Sequence, residues 1–209
     1  MADDACSQIE FLPTRRAERV GRLAHDAAIG LFCRVNSPKA VFLDRDGTII
    51  LDQNYISDPL QVGLLPGAKE AITLLREADF MLFLFTNQSG VGRGYFPLEA
   101  VLRCNARMLD LLGLGSPLFT DVCIAPESPE QPAVYRKPSP RFIDESVTKH
   151  GLDRSKSWMV GDKAIDAEAG VNAGINAALI GKNPCPAGRE VLRCESLLDF
   201  ARTVASQRD

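Results

Sequence analysis

The chain has 209 residues, 45% of them hydrophobic and 24% charged, with a formal net charge of −3, the balance of a soluble globular protein. A mildly acidic chain has no general attraction to nucleic acid or anionic membrane, and no apolar run approaches the roughly 20 residues of a membrane span. Six cysteines without a C-x-x-C spacing suit reduced thiols in the cytoplasm, and two histidines exclude a His-rich metal site.

Residues 1–38 form a compositional zone of their own. Val20, Leu23, Ala24, Ala27, Ala28, Leu31 and Phe32 recur at helical spacing, while Arg15, Arg16, Arg19 and Arg22 crowd one end. An amphipathic helix packed on the main domain or on a second subunit is expected there; a partner-binding helix and an upstream start codon are the other readings. The layout is not that of a signal peptide, and Asn36-Ser37-Pro38 breaks the pattern.

From residue 39 to 209 a second domain follows, in which strand and helix alternate. Residues 39–44 read as the first strand, 45–65 as a long irregular excursion, and Pro66-Gly67 opens a helix through Leu74, Leu75 and Ala78. Residues 80–85 are apolar throughout, as in a strand covered on both faces. Helix is expected over 97–112, strand over 121–125, helix over 140–150 and strand over 157–160. Helix over 163–173, strand over 177–180 and a closing helix over 196–205 complete the series. Such alternation predicts an α/β fold, a doubly wound parallel sheet with helices on both faces.

Each strand ends in polar residues at the same edge. The first delivers Asp44 and Asp46, two carboxylates that repel unless a cation or proton sits between them. The second delivers Thr86-Asn87-Gln88-Ser89-Gly90, and the loop after the third ends in Arg136-Lys137-Pro138. The fourth delivers Gly161-Asp162-Lys163, with Asp166 one turn into the next helix. In open α/β sheets these ends converge. A nucleophile, an acid, a hydroxyl, cations and a further carboxylate suit phosphoryl transfer.

Asp44-Arg45-Asp46-Gly47-Thr48, Thr86-Asn87-Gln88-Ser89-Gly90, Arg136-Lys137-Pro138 and Gly161-Asp162-Lys163-x-x-Asp166 resemble, over residues 39–182, the four motifs of the haloacid dehalogenase (HAD) superfamily of phosphatases. The chain is most similar to the histidinol-phosphate and D-glycero-D-manno-heptose 1,7-bisphosphate phosphatase branch, which also has Arg93-Gly94, Lys163 after the acid, and Asp52 and Tyr55 at substrate-contact positions. The resemblance implies a Rossmann-like fold with a minimal cap. It also implies Asp44 as nucleophile, Asp46 as general acid and base, and Thr86 and Lys137 on the phosphoryl oxygens. Mg²⁺ would be held by Asp44, Asp162 and the Asp46 carbonyl, and Asp52, Tyr55, Asn87, Gln88, Ser89, Arg136 and Lys163 would bind substrate.

Several of these residues have a plainer reading. Asp166 would orient Lys163 or the metal site, Asn87 and Gln88 would cap the following helix, and Thr48 would stabilise the turn after the nucleophile. Arg93 would be a surface charge, and Tyr55 either a core aromatic or a sugar contact. The branch's zinc loop is broken here: Cys123 stands at the first ligand position, but Ala125 replaces His and Val134-Tyr135 precedes Arg136. One sulfur cannot hold a tetrahedral zinc, so no structural zinc is expected and Cys123 reads as a buried strand residue. The implied enzyme is a cytoplasmic, Mg²⁺-dependent phosphatase of carbohydrate metabolism acting on a sugar phosphate, foremost the heptose bisphosphate, with no nucleic-acid or membrane partner and a monomer as the working expectation. Histidinol phosphate and a polynucleotide 3′-phosphate are the alternative substrates, and a non-catalytic binding module is the reading from another class.

Overall fold

Short, largely apolar runs become the strands, the central ones buried on both faces and the edge ones partly exposed. They are β1 (Lys39–Leu43), β2 (Phe80–Asn87), β3 (Asp121–Ala125), β4 (Trp158–Gly161), β5 (Asn176–Ile180) and β6 (Leu192–Cys194). Between them lie α1 (Ala68–Glu77), α2 (Ser89–Gly92), α3 (Leu98–Leu112), α4 (Arg141–His150) and α5 (Ala164–Asn172), with α6 (Leu197–Ala205) after β6. The computed structural model describes residues 37–184 and 190–206, so the helix expected within residues 1–38 falls almost wholly outside the described part.

All strand pairs are parallel, in the order β3-β2-β1-β4-β5-β6. Successive side chains of a strand point to opposite faces, and the two halves of the core follow that alternation. Val41 and Leu43 of β1 join Ile72 and Leu75 of α1, Met108 of α3 and Phe200 of α6 on one face. Ala40 and Phe42 join Phe83, Phe142 of α4, Met159 and Ala169 of α5 on the other. There Phe42 stacks on Phe83 at 4.6 Å, and Phe142 meets Phe42 edge-on at 5.8 Å. This is the doubly wound α/β fold that the alternation predicts. Helices end where the chain can turn: Gly113 and Gly151 close α3 and α4 in left-handed conformations, with φ of 60° and 64°.

The strand order reverses between β1 and β4, and a crevice opens beyond their C-terminal ends. The excursion after β1 folds down beside it without forming a separate domain. The Arg45 carbonyl accepts the amides of Thr48 (3.3 Å), Ile49 (2.9 Å) and Ile50 (3.0 Å), and Ile49, Ile50, Ile56 and Val62 are buried beneath.

The sequence reading missed three features of the fold. β2 runs on through Thr86 and Asn87, because pairing with Ile124 and Ala125 of β3 continues past the apolar run. α2 is a single turn containing two glycines, too short and too poor in helix formers for a periodic signal. β6 has three residues, one of them Arg193, and pairs only with β5 at the sheet edge.

Candidate active site

Asp44 is the first residue beyond β1, and its amide donates to the Val160 carbonyl at 2.9 Å, which fixes it at the switch point. Its Oδ1 accepts from Lys137 Nζ at 2.7 Å. That ammonium is 2.6 Å from Asp166 Oδ1 and donates to the Phe85 carbonyl at 2.7 Å. Lys137 therefore sits buried between two carboxylates. Burial disfavours its charge, but Asp166 and Asp44 more than offset this and hold its pKa above the usual value.

The nucleophile candidate titrates in the opposite sense. Burial pushes Asp44 up to about 7, with Asp166 and Asp46 adding to the rise and Lys137 opposing it. Burial also raises Asp162 to about 6, assisted by Asp166 and Asp52 and opposed by Lys163. One oxygen each from Asp44, Asp162 and Asp166 lies within 4.8 Å of the others, and Asp162 Oδ1 is buried without a hydrogen-bond partner. A buried carboxylate oxygen without a hydrogen-bond partner beside two further carboxylates makes an all-oxygen donor set, which suits a hard divalent ion. Gly47 makes room for the Asp162 carboxylate. With φ at +82°, any Cβ there would stand 2.5 Å from Asp162 Oδ2.

Asp46 is gripped from two sides. Arg45 Nε and Nη2 donate to both of its oxygens at 3.2 and 2.9 Å, and Gln88 Nε2 donates to Oδ2 at 2.8 Å. Gln88 Nε2 also donates to the buried Thr86 hydroxyl at 2.8 Å, which links the tips of β1 and β2. Above lies a cavity of about 210 Å³, lined by Asp46, Asn87, Gln88 and Ser89 on one side and by Asp52, Tyr55 and Lys163 on another. Lys163 Nζ donates to Asp52 Oδ2 at 2.8 Å and ties the excursion to the start of α5. Burial pushes the Asp52 pKa up, but the Lys163 hydrogen bond, the Asn54 amide and the nearby positive charges together bring it below its usual value, and Asp52 in turn raises that of Lys163.

All the expected residues but Arg136 gather around the site, with different attachments from those expected. Asn87 and Gln88 do not cap α2 with their side chains. Asn87 instead clamps the backbone of Lys137, accepting its amide at 2.9 Å and donating to its carbonyl at 3.2 Å. Asp166 engages Lys137 as well as the Lys163 amide, at 3.0 Å, so it orients both lysines. The Thr48 hydroxyl has no partner, and only its backbone takes part in the turn. Tyr55 is no core aromatic: it is half exposed, has φ of 54° and meets Tyr95 edge-on at 5.0 Å. Arg136 is absent from the cavity wall, its Nη1 donating to the Glu127 carbonyl at 3.4 Å. Arg93 pairs on the surface with Glu130 at 3.1 Å, and Cys123 is buried in β3 as expected.

Two residues escaped the sequence reading. Arg45 is fully buried and also donates to Asn105 Oδ1 of α3 at 2.9 Å. A cation between two acids, two residues past a buried strand, was the available signal. Glu127 Oε1 accepts the amides of Val134 (3.1 Å) and Tyr135 (2.7 Å) and so pinches the loop that carries Arg136 and Lys137.

A doubly wound sheet whose switch point gathers a carboxylate pair, a buried lysine and a hydroxyl defines a hydrolase core of the HAD type, built around phosphate. A HAD-hydrolase-like family model matches residues 134–188. The chain is 36% identical over 159 residues to the D-glycero-D-manno-heptose-1,7-bisphosphate 7-phosphatase of Chlorobaculum tepidum, covering 70% of this chain and 80% of that one. It is 32% identical over 169 residues to the D-glycero-beta-D-manno-heptose-1,7-bisphosphate 7-phosphatase of Helicobacter pylori strain J99, covering 79% and 97%. A D,D-heptose 1,7-bisphosphate phosphatase from B. bronchiseptica, crystallised with magnesium and phosphate, superposes with a TM-score of 0.74 at 27% identity, covering 81% of this chain and 99% of that one. The chain belongs to the heptose bisphosphate phosphatase family of the HAD hydrolases, and it is a phosphoric monoester hydrolase.

Proposed function

We propose that this enzyme removes one phosphate from D-glycero-D-manno-heptose 1,7-bisphosphate, with Mg²⁺ as its metal, in the cytoplasm. The observation that carries the reading is the Asp44–Lys137 pair at 2.7 Å beside the partnerless Asp162 oxygen, beneath a polar cavity, in a relative of heptose bisphosphate phosphatases.

Asp44 attacks phosphorus, the bond to the sugar oxygen breaks, and Asp46 gives that oxygen its proton. Asp46, now a carboxylate, takes a proton from water as the water oxygen displaces Asp44 from phosphorus. Lys137 and the Thr86 hydroxyl hold phosphoryl oxygens, with Asp166 and Asn87 keeping Lys137 in place. Asp44, Asp162 and the Asp46 carbonyl would hold Mg²⁺, which supplies neutralisation of charge on the phosphoryl group. The lining residues Asp52, Tyr55, Ser89 and Lys163 contact the sugar, and Arg136 at the adjoining loop meets the second phosphate. The loop that bears Arg136 and Lys137 is held by Glu127, and Ala125 in place of the branch's histidine supports a loop without zinc.

The test is phosphate release from both anomers of the bisphosphate, from hexose phosphates and from histidinol phosphate, with Mg²⁺ and with chelator. The heptose bisphosphate is expected to give the highest kcat/KM, and chelator to abolish turnover. Preference for histidinol phosphate would reject the substrate assignment.

A further inference from the structure

Full burial of an arginine is hard to explain by packing alone. A buried guanidinium needs partners for its donors, and an apolar side chain of similar volume fills such a space equally well. What a guanidinium adds is direction, because its planar fork fixes the plane of a carboxylate. Arg45 uses Nε and Nη2 on Asp46 and Nη1 on Asn105. Asn105 is equally out of place. It lies on the buried side of α3 among Val101, Cys104 and Met108, where helical periodicity calls for an apolar residue. α3 offers nothing else to the site, and 60 residues separate Asn105 from Arg45.

We infer that Arg45 and Asn105 are positioning residues: a buried relay from α3 that aims the Asp46 carboxyl at the departing sugar oxygen. The inference rests on Asp46 as general acid, the role given it above. Asn105 fixes one edge of the guanidinium, the guanidinium fixes the plane of the carboxyl, and Gln88 restrains the same carboxyl from β2. Arg45 and Asn105 are both buried, at 0% and 7% exposure, with their side chains turned to each other and to Asp46 rather than to the cavity.

A misaimed acid harms poor leaving groups far more than good ones. The experiment measures first-turnover alcohol release from the heptose bisphosphate and from 4-nitrophenyl phosphate, whose phenolate departs without a proton. Asn105→Ala is expected to slow sugar release about 30-fold or more, while nitrophenolate release and KM stay within about threefold of wild type. Asn105→Asp, which keeps an acceptor oxygen on the same stem, is expected to restore sugar release to within about threefold. It also decides the matter if the alanine variant does not fold. Equal losses on both substrates, no loss on either, or a folded Asn105→Asp variant as slow on the sugar as Asn105→Ala would overturn the relay. If wild-type enzyme with Mg²⁺ released phosphate from neither ester, the proposed function would fall, and the relay with it.

Discussion

Burial works against the charge of Lys137, and the carboxylates of Asp166 and Asp44 favour it and raise its pKa. The same burial leaves Asp44 at about 7 and Asp162 at about 6, against 3.8 in an unfolded chain. Between those values the folded protein holds protons that the unfolded chain has released. The two groups therefore favour folding at low pH, and this contribution is lost as pH rises through 6 and then 7. A divalent cation needs both carboxylates ionised, so its affinity should fall as pH drops through the same window, by about tenfold per pH unit for each proton displaced. Thermal melts with and without Mg²⁺ are expected to show a larger rise in Tm near pH 8 than near pH 5.5; equal rises would argue against metal between these carboxylates. Asp44→Asn should lower kcat by about 10⁴-fold or more with the circular dichroism spectrum unchanged. A variant retaining a tenth of wild-type turnover would rule Asp44 out as nucleophile.

The turn after β1 and the tip of β2 place these groups. Gly47 is confined by its +82° φ and by Asp162, so Gly47→Ala should shift that carboxylate and cost about 100-fold or more in kcat. Titrating Mg²⁺ would reveal the cause, because the variant should need far more metal for half-maximal rate. Asn87 joins β2 to the loop bearing Lys137, and Asn87→Ala should lower kcat about 10- to 100-fold with little change in KM. A rise in KM alone would make Asn87 a substrate contact after all. These elements also mark how far the sequence could be read. Strand tips were legible because apolar runs such as residues 80–85 end abruptly in polar motifs, and parallel topology brings those ends together. Partner choice was not legible, because a residue type does not say which donor will satisfy it. Asn87 was free, on sequence grounds, to cap α2 or meet substrate, yet the Lys137 backbone takes both ends of its amide. β6 escaped for a different reason: three residues at an edge bury too little for a pattern.

At the scale of the molecule, every candidate catalytic and metal-binding group lies between Asp44 and Asp166. Removing residues 1–36 should accordingly leave kcat and KM within about twofold of the full chain. A folded truncation without activity would make that segment part of the site. No helix among the described residues is long and apolar enough to cross a membrane.

The central strand pair imposes a timetable on all of this. β1 lies beside β4, and the Ala40 amide donates to the Ser157 hydroxyl at a sequence separation of 117. Pairings so distant along the chain form late and slowly. A polypeptide still emerging from the ribosome can complete β1, β2 and β3 while Asp162 and Asp166 have yet to be made, so the acidic cluster that Asp44 begins is the last part of the site to be completed. Nascent chains arrested before β4 should neither capture the ion nor cleave a phosphate ester.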